Sequence, residues 1–244
     1  MNRFVRAAAA VAVTAMTVGG LAACNFIGPP QRFTDESTVT EDIAVIELDD
    51  ANGSVRVTGA AGATDITVER TVSYLGDRDI GETHEIDGDT LELGGCGRFC
   101  SVDYTVEGPI GLDVGGRTSN GTIELRGVDE VDVRTSNGRI ELEDVSGDVD
   151  VETSNGRVIG RDLNGDGVRV RTSNGSIELS LGEAQDVEAR TSNGAIELRV
   201  PEGSYRVTAE TSNGSTDIGI ADDPDGEFEL ELRTSNGSIT ITGG

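Results

Sequence analysis

Few residues of this 244-residue chain have the type and spacing to do chemistry. Asp162-Leu163-Asn164-Gly165-Asp166-Gly167 follows D-x-N-x-D-G, the first half of a calcium loop, with Asp162, Asn164 and Asp166 as the oxygen donors. The twelfth position is Ser173, where a bidentate Glu is needed, and the flanks alternate like strands. Calcium is thus the one cofactor the sequence admits, set against a plain polar turn. Cys96 and Cys100 lie in Gly-Gly-Cys-Gly-Arg-Phe-Cys. A zinc site would need more ligands, and the only histidine is His84. A redox pair would want a helix beside its thiol, and none is expected. With 45 acidic residues a pair of carboxylates is always at hand, so a pair is no sign of glycoside hydrolysis. There is no Ser-His-Asp arrangement, nucleophile elbow or lysine base. The expectation is a chain that is not an enzyme.

The N-terminus speaks to location. Arg3 and Arg6 precede an apolar stretch over residues 7–18, shorter than the roughly 20 residues a membrane span needs. Gly19, Gly20, Leu21, Ala22 and Ala23 follow. Residues 1–23 read as an export signal. Leu21-Ala22-Ala23-Cys24 resembles the bacterial lipobox, which implies cleavage before Cys24 and lipid on its sulfur. More than one acyl chain makes such an anchor stable. Residues 24–40 contain Gly28-Pro29-Pro30 and no periodic apolar pattern, so they read as the lipidated N-terminus and a tether. Export favours a Cys96–Cys100 disulfide, the even pair left once Cys24 is used.

Charge narrows the partners. All positive charge comes from 19 arginines, and the formal net charge is −26. Without residues 1–23, 17 arginines face 45 acids, or −28. Such a surface repels nucleic acid and anionic headgroups as ligands of the folded domain.

The elements that must carry these residues are set by a repeat. Thr-Ser-Asn-Gly begins at Thr118, Thr135, Thr153, Thr172, Thr191, Thr211 and Thr234. Counting each Thr as zero, positions −4, −2, +5 and +7 are mostly Val, Ile, Leu or Ala, so period-two alternation flanks every Ser-Asn-Gly. Residues 109–244 form this repeat region. Residues 41–108 form a less regular β portion that holds the cysteine pair and, at Asp50-Ala51-Asn52-Gly53, a degenerate eighth copy. The fold class is all-β, a repetitive β-solenoid of short strands with Ser-Asn-Gly turns. The alternative is a meander of stacked hairpins, with Asn-Gly type I′ turns pairing Arg117 with Glu124, Arg134 with Glu141, Arg171 with Glu178 and Arg190 with Glu197. Stacking alone explains why Thr and Ser recur too. It predicts an amide ladder through Asn120, Asn137, Asn155, Asn174, Asn193, Asn213 and Asn236, with the Thr hydroxyls stacked likewise.

Seven Ser-Asn-Gly copies between alternating strands, behind a lipid-anchor signal, resemble the "putative adhesin" family of bacterial envelope β-solenoid lipoproteins, of toast-rack or head-domain type. The resemblance implies a coil-stacked fold at the cell envelope, with relatives in envelope-stress systems, and brings no catalytic residues. Expected partners are the membrane, through lipid on Cys24, and an unidentified surface protein or glycan. Nucleic acid is excluded. The chain ends straight after its last repeat, with no evident cap, so self-association through an open strand edge is expected there.

Overall fold

The structure, a computed structural model, describes residues 29–244. The expected signal peptide and Cys24 lie outside them. The first seven strands are β1 (Pro30–Val39), β2 (Val45–Asn52), β3 (Val55–Ala60), β4 (Ile66–Leu75), β5 (His84–Asp87), β6 (Thr90–Gly94) and β7 (Cys100–Pro109). The repeats supply β8 (Asp113–Asn120), β9 (Ile123–Val128), β10 (Val131–Asn137), β11 (Ile140–Val145), β12 (Val149–Asn155), β13 (Val158–Leu163) and β14 (Gly167–Asn174). They continue as β15 (Ile177–Leu181), β16 (Asp186–Asn193), β17 (Ile196–Val200), β18 (Tyr205–Asn213), β19 (Thr216–Ile218), β20 (Phe228–Asn236) and β21 (Ile239–Gly243).

Each Thr-Ser-Asn-Gly ends one strand and turns the chain into another sheet. One sheet runs β18-β20-β16-β14-β12-β10-β8-β2-β6-β5, the other β1-β4-β7-β3-β9-β11-β13-β15-β17-β21-β19. Equivalent strands pair in parallel and in register, so Thr135 faces Thr118 and Thr153, and Asn137 faces Asn120 and Asn155. This is the solenoid. The hairpin alternative is wrong: Arg134 and Glu141 lie in different sheets, each beside its own counterpart, Arg117 and Glu124. Antiparallel pairing among the described residues is confined to β1–β4, β4–β7 and β5–β6.

The two inward faces meet in one apolar core. Positions −4, −2, +5 and +7 bury Val131, Val133, Ile140 and Leu142 in the second copy and most of their counterparts elsewhere, those of the copy at Thr211 excepted. A further buried column, Val128, Val145, Leu163, Leu181 and Val200, lies past the repeat core, at +10 from Thr in the first three and at +9 in the last two, so alternation reaches only Leu181 and Val200. Burying one such side chain stabilises by about 1.5–3 kcal/mol.

The coils do not stack in chain order at either end. The C-terminal coil β20/β21 inserts between β16/β17 and β18/β19. Hydrophobicity gives the reason. Leu230, Leu232, Ile239 and Ile241 are fully buried in that inner slot, while the outer coil offers Val207, Ala209, Thr216 and Ile218, none fully buried. A terminal coil must tolerate water, and the less apolar one takes the end. The expectation of an uncapped end at residues 241–244 is therefore corrected: β21 is interior. Around the true end the loop after β19 folds back, Asp222 Oδ1 accepting from Val207 N (2.9 Å) and Asp223 N donating to Tyr205 O (2.9 Å). At the other end β2/β3 is overlain by β6/β7, whose turn is the cysteine loop.

The tether expected over residues 24–40 is also corrected, because residues 30–39 form β1, paired with β4 over its whole length. Alternation was invisible there because β1 is an edge strand whose side chains are mostly exposed.

Candidate functional site

The most ordered feature of the surface is the turn column. Asn213 Nδ2 donates to Asn236 Oδ1 (3.1 Å), Asn236 to Asn193 (3.0 Å), Asn193 to Asn174 (3.0 Å) and Asn174 to Asn155 (3.0 Å). Asn155 donates to Asn137 (3.0 Å), Asn137 to Asn120 (3.1 Å) and Asn120 to Asn52 (2.9 Å). Asn52 Nδ2 ends the run on the Cys100 carbonyl (3.2 Å). All seven expected asparagines are in the ladder, and the degenerate copy adds Asn52. Every donor points toward the cysteine loop, so the amide dipoles align and reinforce one another.

Threonine and glycine do different work from that expected. Six of the seven Thr side chains are buried, Thr211 of the outer coil being half-buried, and their hydroxyls do not bond one another. Most reach a glycine carbonyl in the coil beside them, as Thr153 does to Gly138 (3.1 Å), Thr172 to Gly156 (3.2 Å), Thr191 to Gly175 (3.0 Å) and Thr234 to Gly194 (3.0 Å), whereas the buried Thr135 hydroxyl makes no hydrogen bond. Glycine is required by close approach rather than by a type I′ turn. A Cβ on Gly138, Gly156 or Gly175 would overlap the neighbouring glycine's carbonyl oxygen, and none of these three has a positive φ.

Cys96 and Cys100 are joined, with Cα atoms 5.6 Å apart. The disulfide closes the loop that replaces Ser-Asn-Gly in the β6/β7 coil, so it caps the ladder. Asp162, Asn164 and Asp166 belong to an inter-coil turn whose backbone accounts for each of them. Asp162 has φ +53°, as Asp144 (+56°) and Gly127 (+66°) have in the two preceding coils. Aspartate tolerates this left-handed conformation better than most residues. The Asn164 amide donates to Asp162 O (2.9 Å), and Asp166 N donates to the Asp148 carboxylate (3.1 Å). No group of three or more His, Cys, Asp or Glu side chains able to hold a metal occurs among the described residues.

Acids on the outer face also serve the stack. The carboxylates of Asp113, Asp148 and Asp186 accept backbone N–H groups of Glu130, Asp166 and Glu229 in the adjoining coils. A shallow groove of about 550 Å³ crosses this face, lined among others by Glu130, Asp132, Asp150, Asp186, Glu188 and Glu231, with Arg169 the one cation among its lining residues. Arg169 bonds Glu188 (3.1 Å) and Asp150 (3.3 Å). Burial works to raise the Glu188 carboxyl, but bonds from Arg169 and Arg171 outweigh it and hold it below the usual range. Glu47 has no such help: burial first, then Asp132, Glu92 and Asp49, push it upward.

Sequence reasoning found no role for the polar knot that fastens β1. Arg70 is buried and forks onto Asp35 (2.5 and 2.7 Å), and it also reaches Gly81 O (2.8 Å) and the Thr83 hydroxyl (3.0 Å). Tyr104 Oη lies 2.7 Å from both Thr83 O and Gly94 O, and burial pushes its pKa up to about 12. His84 Nε2 meets Ser37 Oγ at 3.1 Å. Burial, then Arg70, hold its imidazole below the usual range against the pull of Glu82 and Asp35. An arginine in a run of alternating strand residues carries no mark that it will be buried.

The sequence matches the family described as Toastrack DUF4097 over residues 38–243. The chain belongs to that family. The toast-rack match takes in all nine coils and begins at Thr38, so Pro30–Ser37 of β1 precede it. No curated protein matches this toast-rack chain. Among solved structures it is similar to a "putative adhesin" from Bacteroides fragilis NCTC 9343, at 16% identity and TM-score 0.48 over 88% of this chain and 97% of that one. Another "putative adhesin", from Parabacteroides merdae ATCC 43184, gives 14% identity and TM-score 0.46 over 89% and 96%. A "putative cell adhesion protein" from Clostridium sporogenes ATCC 15579 gives 11% and 0.43 over 88% and 100%.

Proposed function

We propose that this chain is an adhesin-like lipoprotein of the cell envelope, held to the membrane by lipid on Cys24. Its toast-rack domain acts as a rigid, non-enzymatic scaffold on which a surface protein or glycan docks. The observation that carries the reading is the unbroken asparagine ladder. It fixes outer columns of side chains at the spacing of about 4.8 Å between paired strands, a lattice suited to an extended ligand. The export signal and lipobox supply the location, and the kinship to envelope-stress systems remains a property of relatives. The test combines fractionation with mass analysis of the mature N-terminus. The native chain should sediment with membranes and carry lipid on Cys24, and Cys24→Ala should release it. A soluble chain with an unmodified thiol would sink the anchor. Photo-crosslinkers placed at the exposed Ser154 and Ser173 should then trap a partner on whole cells.

The competing reading, a calcium-binding or polysaccharide-active domain, rests on the turn at residues 162–166. A large upward shift of Tm with calcium, reversed by chelator, would support it, as would turnover of cell-wall glycans. The scaffold reading expects neither.

A further inference from the structure

We infer that the disulfide-closed loop Gly95–Phe99 is a membrane-contact site that seats this domain against the bilayer holding its lipid. The inference rests on the proposed anchor at Cys24.

Three observations carry it. The first is position. Across one end of the sheet, Pro30 pairs with Leu75 and Tyr74 with Cys100. The backbone binds the same row together, Gly76 N donating to Pro29 O (3.3 Å) and Leu75 N to Phe99 O (3.1 Å). The loop therefore lies two strands, about 10 Å, from the point where the chain enters the domain. The second is reach. Only four residues, and so five residue steps, separate Cys24 from Pro29, at most about 18 Å when fully extended. That end of the domain must face the membrane closely. The third is chemistry. Phe99 is 60% exposed, with φ +57°, an uncommon conformation for a bulky residue. The disulfide holds it there, and Arg98 lies over its ring at 5.5 Å. Arg78 binds the Arg98 carbonyl (3.2 Å), and Arg32 is exposed on β1. These three arginines gather on the Phe99 side of the loop beside Asp77 and Asp79, while Asp49, Glu82, Glu85 and Glu92 line a groove on its Gly95 side. An aromatic ring beside arginines suits the headgroup boundary, where the ring enters the acyl edge and the guanidinium meets phosphate. The tether supplies high local concentration, so a free acidic domain would not bind by itself.

The chain has no tryptophan, so Phe99→Trp gives a single reporter. Ile110→Trp is the control, since Ile110 is equally exposed just beyond the far end of β7, about 33 Å away. Both are placed in the full lipidated chain on phosphatidylcholine–phosphatidylglycerol vesicles, with and without brominated acyl chains. F99W emission should shift to shorter wavelength and be lost with brominated lipid, and I110W emission should change in neither respect. A soluble version beginning at Asn25 should show no shift with the same vesicles. Arg98→Trp reports on the same loop if F99W does not fold. Unshifted, unquenched F99W and R98W in chains that float with the vesicles overturn the contact and leave the anchor standing. Chains that do not float, with Cys24 unmodified, overturn both.

Discussion

At the residue scale, asparagine and glycine hold the stack by different means, and two experiments separate them. A central asparagine makes two ladder bonds and the last one makes a single bond. At about 1 kcal/mol per bond, Asn155→Ala should cost roughly twice what Asn213→Ala costs in urea unfolding. Asn193→Asp should melt below Ser192→Asp, because an aspartate keeps the acceptor and loses the donor to Asn174. Glycine acts through space alone. Gly156→Ala drives a methyl into the Gly138 carbonyl and should cost about 1–3 kcal/mol as overpacking. Gly167→Ala, with open space around it and no positive φ, should melt like the wild type. The repeat made the asparagine column legible in the sequence, since only stacking brings identical residues into register. The reason for glycine was not legible, because close approach and a turn conformation ask for the same residue.

At the element scale, β1 and the cysteine loop finish one end, and β18 with its returning loop finishes the other. β1 depends on Arg70–Asp35 and on Ser37–His84, and the second pair makes it sensitive to pH. His84 has a lower pKa folded than unfolded, so the unfolded chain binds the extra proton first. The stability tied to its neutral form is present above about pH 6.5 and is lost as pH falls through the folded value. Urea midpoints measured between pH 7 and 5 should fall for the wild type and stay flatter for His84→Gln. Asp35 works in a lower window. Its bond to Arg70 depresses its pKa, so its contribution holds above about pH 4 and is lost as pH falls further. None of this could be read from residues 30–39. Their polar, Pro-led composition is that of a tether, and only the partner strand β4 shows that they pair.

At the scale of the whole molecule, the repeats gave the fold class and the inward faces, but not the order of the coils. Any copy fits any neighbour, because Thr211 and Thr234 carry the same turn. The choice is made by a global comparison, with Leu230, Leu232, Ile239 and Ile241 too apolar to be left outermost. A chain ending at Ile218 should therefore remain folded, with β18/β19 resting directly on β16/β17. Circular dichroism should keep its β signature at a lower Tm. Retention of one sharp transition supports interchangeable coils, and loss of structure would show that the inserted coil is indispensable. The same comparison bears on self-association. Asp222 blocks the edge of β18 at Val207, and Asp222→Ala should raise the sedimentation coefficient as concentration rises while the native chain stays constant.

The fastening of β1 has a mechanical consequence. A pull on the chain ahead of Pro29, directed along the strand, loads all ten β1–β4 pairs at once in shear, together with the Arg70 fork. A sideways pull loads only the Pro30–Leu75 pair and peels the rest in turn. The attachment is thus stiff to tension along β1 and yields to drag across it. If it peels, ten residues of slack are released, about 33 Å of reach, while the coils behind remain intact.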